Sequence, residues 1–340
     1  MLLWPVGWLY GKIADIRNTL YEKGVLKSYT LGAKTVSIGN ITTGGTGKTP
    51  LVAYVANILA DSGEKVCILT RGYGRENPHE RVLVTDGTNV LVDARTGGDE
   101  PAELARKLLG KVIIVADADR VSAAKWAKEQ FGITAFVLDD GFQHLRAKRD
   151  LDIVCIDATN PFGNGGILPG GTLRESLVNL KRADAFVITR SNLVESTDDI
   201  KGKLSQENAK ALIFESTLKI VRSSDLERFL KSEAGSLPSE KTGMYAFCAL
   251  GNPQSFVSLL DLEGFGVTGF KAFPDHHKYA QSDLEELEAE ARSKHSESLV
   301  TTAKDAVKLS GLKFTLPCYV AEADVFLSDP DAFRDLVLSS

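Results

Sequence analysis

The amino-acid sequence predicts an α/β protein: a P-loop α/β/α domain with a mainly parallel sheet, followed by a smaller α/β/α domain. Three observations carry that reading. Short apolar runs alternate with helical patterns from Thr35 onward, as expected of parallel strands covered by helices on both faces. The first run leads directly into the glycine-rich string Thr43-Gly44-Gly45-Thr46-Gly47-Lys48-Thr49. The alternation then breaks over a polar stretch, 222–243, before it resumes.

Length and composition agree. A chain of 340 residues suits two domains. With 43% hydrophobic and 25% charged residues it is neither disordered, collagen-like nor a coiled coil. A formal net charge of −5 removes the basic bias of a nucleic-acid binder, so no nucleic-acid partner is expected. Cys67, Cys155, Cys248 and Cys318 are far apart, with no C-x-x-C pair. Three lie in apolar strand-like runs and read as buried free thiols of a reducing compartment.

The elements follow in order. Residues 1–30 begin MLLWPVGWLY, too short an apolar run for a bilayer, which needs roughly 20 residues. Leu9, Ile13, Ile16 and Leu20 fall at helical spacing, and residues 1–38 carry five Lys/Arg against two Asp/Glu. This is either a helix in a membrane interface, with Trp4 and Trp8 at headgroup depth, or one docked on its own domain. The core domain is read over 31–221. Its strands are 35–40, 66–70, 111–116, 135–140, 151–157, 185–190 and 211–216. Its helices include the stripe Leu51, Val52, Val55, Ile58 and Leu59. The stretch 222–243, with Gly235, Ser236, Pro238 and Ser239 together, reads as an inter-domain connection. Residues 244–340 then repeat the strand–helix alternation and end in a helix that could return to the core.

The glycine-rich string is where phosphate chemistry is expected. Glycines let backbone amides turn toward phosphate oxygens, and the following helix adds its N-terminal dipole. Lys48 reaches the β- and γ-phosphates in this pattern, and the Thr49 hydroxyl is placed for Mg²⁺. Thr42 occupies the usual first-glycine position, so the segment Thr42, Thr43, Gly44, Gly45, Thr46, Gly47, Lys48, Thr49 and Pro50 is the expected nucleotide-binding stretch. Thr302-Ala303-Lys304-Asp305 has the wrong spacing for a guanine-reading motif, which favours ATP.

Four acidic or basic clusters stand beside it. Asp139 and Asp140 end an apolar strand, the place where P-loop enzymes hold Mg²⁺, and Gln143 and His144 follow in the same turn. Asp99 in Gly97-Gly98-Asp99-Glu100-Pro101 is either a loop acid or a helix N-cap. Pro274-Asp275-His276-His277 sets two histidines beside a carboxylate, as in a general base or a plain surface turn. Arg174 and Glu175 end the segment Leu168-Pro169-Gly170-Gly171-Thr172-Leu173, with Arg174 able to neutralise a phosphate.

Together these strings resemble the tetraacyldisaccharide 4'-kinase family of lipid A biosynthesis. The resemblance runs through RNTLYEKG (17–24), SIGNITTGGTGKTP (37–50), LTRGYGR (69–75), GGDEP (97–101) and the Asp119-Arg120 pair. It continues through LDDGFQH (138–144), RDLDI (149–153), LPGGTLRE (168–175), RADAFVITR (182–190), DHH (275–277) and TTAKD (301–305). The resemblance implies transfer of the ATP γ-phosphate to the 4'-hydroxyl of an acylated disaccharide 1-phosphate lipid. It implies Mg²⁺ dependence and a peripheral position on the cytoplasmic face of the inner membrane. It also implies two α/β/α domains joined by a two-stranded linker, with the site in the cleft. By the same resemblance Asp99 is the general base with His276 as its partner, alongside Lys48 and Asp140 as catalytic groups. Thr49, Asp139, Gln143 and Glu175 are implied around Mg²⁺, and Arg174, Asn40 and Arg120 toward the substrate. The alternative is a membrane-associated P-loop ATPase switch without a sugar acceptor. Its usual form has Lys where this chain has Thr43.

Overall fold

The structure, a computed structural model, describes residues 4–231, 233 and 242–340. Helix α1 (Trp4–Glu22) leads into β1 (Lys34–Asn40), α2 (Lys48–Asp61), β2 (Val66–Thr70) and β3 (Val82–Thr85). The short α3 (Ala94–Gly97) and α4 (Asp99–Lys107) precede β4 (Ile113–Ala116), α5 (Arg120–Phe131), β5 (Ala135–Asp139), β6 (Leu151–Asp157) and β7 (Ala185–Thr189). Next come α6 (Asp198–Glu207), β8 (Leu212–Asp225), α7 (Leu226–Leu230), β9 (Met244–Cys248) and α8 (Pro253–Leu262). The chain ends with β10 (Val267–Ala272), α9 (Gln281–Ser293), β11 (Ser298–Thr302), α10 (Ala303–Ala306), β12 (Cys318–Leu327) and α11 (Pro330–Ser339).

The strands form one sheet in the order β10-β9-β11-β12-β8-β7-β6-β1-β5-β2-β4-β3. All pairs are parallel except β3 with β4 and β8 with β12. Parallel strands need crossovers, and the helices that supply them cover both faces. Leu51, Val52, Val55 and Leu59 of α2 pack on one face with Leu104 of α4 and Phe333 of α11. Ala123, Ala124 and Ala127 of α5 pack on the other. That double burial is why β2, β5 and β7 read as near-continuous apolar runs. It also puts the ends of β1, β5, β6 and β7 side by side at one sheet edge, where such folds bind ligands. The far sheet, β9 to β11, has its own cores against α9 and α8.

The two regions meet through β8 and β12, which pair from Ser216 with Leu327 to Asp225 with Tyr319. Residues Arg222–Asp225, expected in a connection, complete β8, and α7 follows them. The strand was read only to Ser216 because beyond that point it is half solvated, with Ile220 buried and Val221 exposed. Positions 232 and 234–241 of the expected connection lie outside the described residues. The short edge strand β3 and helix α6 had not been foreseen.

Helix α1 lies on the core with Gly7 and Gly11 against Ile167. Its polar side chains complete the attachment: Asn18 Nδ2 donates to Glu175 Oε2 (2.7 Å), and Asn179 Nδ2 donates to Asp15 Oδ1 (2.9 Å). The opposite side presents Val6, Leu9, Ile13 and Ile16 to solvent, and Trp8 is exposed beside the attached face. Among the described residues no helix is long and apolar enough to cross a membrane.

Helix α11 returns to the core, where fully buried Phe333 meets Phe214 edge-on at 5.1 Å and Tyr54 at 6.1 Å. Removing that ring should cost about 3–5 kcal/mol, the range for emptying an aromatic site in a packed core. Urea unfolding of Phe333→Ala measures it, and a loss below about 1 kcal/mol would mean that α11 is not part of the folded core.

Candidate active site

The loop between β1 and α2 is braced on three sides. Asn40 Nδ2 donates to Thr46 Oγ1 (2.9 Å), and Thr189 Oγ1 donates to the Thr46 carbonyl (2.9 Å). Arg190 at the end of β7 donates to the Gly45 carbonyl (2.7 Å) and pairs with Asp157 at the end of β6. Thr43 N donates to the Thr172 carbonyl (2.7 Å). Gly47 is the N-cap of α2 in the left-handed region (φ 74°), a conformation that costs an L-residue with a side chain but not glycine. The loop is therefore a rigid row of amides at a helix N-terminus, set up for an anion.

Lys48 Nζ lies 3.5 Å from Asp140 Oδ1. Arg174 NH1 reaches both Asp140 oxygens, at 2.8 and 2.7 Å. Burial penalises the Asp140 charge, but Lys48 and Arg174 overcome that penalty and lower its carboxyl to about 2. Asp139 is buried and accepts from Thr70 Oγ1 (2.9 Å). Burial first, then the nearby Glu100 and Asp140 charges, push its carboxyl up. Among the described residues no cation pairs with it, although Arg120 donates to its backbone carbonyl (3.1 Å). Glu175 is differently placed. Its two oxygens take Arg182, Asn18 and Gln143 (2.7–3.0 Å), and Gln143 Nε2 also donates to the Asn40 carbonyl.

Across the cleft stands the loop after β10. His276 Nδ1 is 2.9 Å from Asp99 Oδ2 and 3.1 Å from Oδ1. Gly98, not Asp99, is the N-cap of α4, and Asp99 sits buried in the first turn. Its burial opposes ionisation. The His276 hydrogen bond and the charges of Lys304, His276 and Lys308 outweigh that and hold the carboxyl below its ordinary range. In turn the Asp99 hydrogen bond raises His276, against its own desolvation. Lys304 of the far region bridges the cleft beside this pair, 3.1 Å from Glu100 on α4 and 3.2 Å from Asp275 on its own side. A second contact brings the far region onto the phosphate loop. Asn252 donates to Asp157 (3.0 Å), and a Cβ on Gly251 would lie 2.5 Å from Gly45 N.

These groups surround one cavity of about 710 Å³. Thr43 to Pro50, Arg120, Asp140, Gln143, Arg174 and His276 line it. Thr42, Asn40, Asp99, Asp139 and Glu175 are buried and support its wall from behind. Asn40 thus braces the loop instead of facing a substrate, and Glu175 is an anchor whose oxygens are already taken. Tyr10, Arg17, Arg71, Tyr73, Arg190 and Lys304 line the cavity too and were not foreseen. Asp157 and Arg190 were legible in principle, since both end apolar strands, as Asp139 does. His144, on the same wall, is lowered to about 4 by burial and by Arg120 and Arg149.

A buried parallel strand, a glycine-rich loop and a helix, with carboxylates on the neighbouring strand end, define the P-loop class of phosphate-binding α/β proteins. Within that class, the family model for tetraacyldisaccharide-1-P 4'-kinase matches residues 1–340. A tetraacyldisaccharide 4'-kinase of Desulfotalea psychrophila is 36% identical over 341 residues, covering 99% of this chain and 95% of the relative. One from Halothermothrix orenii is 40% identical, covering 89% and 81%. The crystal structure of Aquifex aeolicus LpxK, described as in complex with ATP, aligns with a TM-score of 0.79 at 32% identity, over 100% of this chain and 99% of that one. The chain belongs to the tetraacyldisaccharide-1-P 4'-kinase family, and it is a kinase of lipid A synthesis.

Proposed function

We propose that this chain transfers the γ-phosphate of ATP to the 4'-hydroxyl of a tetraacylated disaccharide 1-phosphate, at the cytoplasmic face of the inner membrane. The observation that carries this reading is that the phosphate loop and His276, hydrogen-bonded to the buried Asp99, line one cavity. One side is built for a triphosphate and the other for a proton. An ATPase switch without an acceptor has no use for the second.

The loop amides and Lys48 hold the β- and γ-phosphates and stabilise the charge that builds on them. The donor chemistry also fits Mg²⁺. Thr49 and Asp139 offer hard oxygens, and among the described residues no cation pairs with the buried Asp139 carboxylate. Bound there, Mg²⁺ would neutralise the developing phosphate charge. Gln143 and Glu175 serve instead as the scaffold of that wall. Arg174 and Arg120, with Arg17 and Arg71 at the same cavity, attract an anionic acceptor.

Asp99 and His276 work as one proton-accepting unit. Asp99, expected as the base itself, lies behind the wall and His276 on it, so the sugar proton passes to the neutral imidazole while Asp99 orients the ring and stabilises the imidazolium that forms. The exposed row of α1 (Val6, Trp8, Leu9, Ile13, Ile16) seats the enzyme on the lipid surface that contains its substrate. Tyr10 and Arg17 of that helix line the cavity, which supports a membrane contact beside it.

Incubation with γ-labelled ATP and the acylated disaccharide 1-phosphate in mixed micelles should give labelled lipid, abolished by Lys48→Ala. ATP consumption without labelled lipid would sink the assignment. The raised His276 also fixes a pH dependence. Only the neutral ring accepts a proton, so kcat should rise with pH through a midpoint above the ordinary 6.5. Asp99→Asn removes the charge that raises it. The midpoint should then move down, while kcat falls by about 10²–10⁴-fold. An unmoved midpoint would exclude His276 as the acceptor. At the membrane, Ile13→Glu with Ile16→Glu should weaken vesicle binding by at least about tenfold without unfolding the protein, both side chains being exposed. Unchanged cosedimentation would refute the interfacial role.

A further inference from the structure

Behind the Asp99–His276 pair lies a charged group that the mechanism above does not use. Asp305 of α10 is fully buried and gathers the loops that the far region brings to the cleft. Ala249 N donates to its Oδ2 (3.1 Å), as does Thr302 Oγ1 (2.8 Å). Tyr279 OH donates to its Oδ1 (3.1 Å). Ala249 leads into Gly251 and Asn252 at the phosphate loop, Tyr279 follows the histidine turn, and Thr302 precedes Lys304. Lys308 completes the cluster. Its Nζ lies 2.8 Å from Asp305 Oδ1 and 3.9 Å from Asp99 Oδ2, over the Tyr279 ring at 5.2 Å. Only about a tenth of its side chain is exposed.

We propose that Lys308 is a positioning residue of the Asp99–His276 pair: a buried cation, anchored on Asp305, that holds the Asp99 carboxylate ionised behind the imidazole ring. Desolvating a lone carboxylate is costly, and a cation within about 4 Å relieves that cost. Without Lys308, Asp99 would depend more on a charged imidazolium, and His276 would keep its proton instead of accepting one. Lys304 also favours the Asp99 charge, but it is ion-paired with Glu100 and Asp275, whereas the carboxylates on Lys308 are Asp305 and Asp99 themselves. Asp275 and Glu100 are negative, burial pushes the Glu103 carboxyl up to about 7, and His277 is turned to Asp283 (2.9 Å). Neutral Lys308 variants should therefore raise the proton affinity of His276.

The inference rests on the proton-accepting reading only for its effect on rate, so two readouts separate them. The first is the NMR titration of the His276 ring in the full-length protein, its signal assigned with His276→Gln. Lys308→Met and Lys308→Gln should raise the midpoint, with proton binding about three- to tenfold tighter. Lys308→Arg, which keeps the charge, should stay near the wild-type midpoint and serves if the neutral variants fold poorly. The second is the kcat–pH profile, whose acid limb should shift up by the same factor and recover at alkaline pH. A merely structural role would lower kcat equally at every pH. A His276 midpoint unmoved in the neutral variants, or moved as far in Lys308→Arg, would overturn the proposal. A midpoint that moves while the acid limb stays would uphold the Lys308 coupling and overturn the proton-accepting role of His276.

Discussion

The cleft is organised by one constraint: a carboxylate taken out of water must find a compensating charge or donors. Asp140 is held by Lys48 and Arg174, Asp157 by Arg190, Glu175 by Arg182, Asp152 by Arg149, and Asp305 by Lys308. Such pairs are poor sources of net stability, because desolvation consumes most of the Coulomb gain. They determine geometry instead. A buried pair has few alternative arrangements, so each one fixes a strand end or a loop relative to its neighbour. Arg190 shows the effect, since the guanidinium that satisfies Asp157 also holds the Gly45 carbonyl and so sets the phosphate loop. Asp139 stands outside the pattern: among the described residues it has the Thr70 hydroxyl and no paired cation.

The same constraint explains how two regions joined mainly by β8 and β12 can form one site. Polar contacts cross the cleft: Asp99 with His276, Glu100 with Lys304, and Asp157 with Asn252. Polar contacts of this kind are specific and individually weak. Each of them fixes the far region against the core at one point of the cavity wall.

Much of this was legible in the sequence where a local pattern had a local cause. The loop and its flanking strand and helix were readable because an apolar run, glycines and a Lys-Thr pair all concern neighbouring residues. Strand β8 was cut short because half of it is solvated, so its pattern stops looking like a buried parallel strand. Asn40 and Glu175 stood out as special residues, but burial turned them into braces behind the wall. Asp99 could be an N-cap or a functional acid from its string alone, and only the arrival of His276, 177 residues away, separates the two. Lys308 carried no signal at all. A lysine three residues past Asp305 looks like helix decoration until Asp99 is folded against it.

Helix α1 makes a final point about what one amphipathic pattern can encode. Its apolar positions and its attachment to the protein are different faces. The attachment uses two glycines against Ile167 and polar side chains to Glu175 and Asn179, while the apolar row is left outward. A helix whose apolar face served the core would have the opposite arrangement. The polar attachment ends at Glu175, which also holds Gln143 and Arg182, so the attached face of the helix is in hydrogen-bonded continuity with the cavity wall. Docking on the protein and exposure toward a lipid surface, two readings that compete in the sequence, are therefore compatible in the fold.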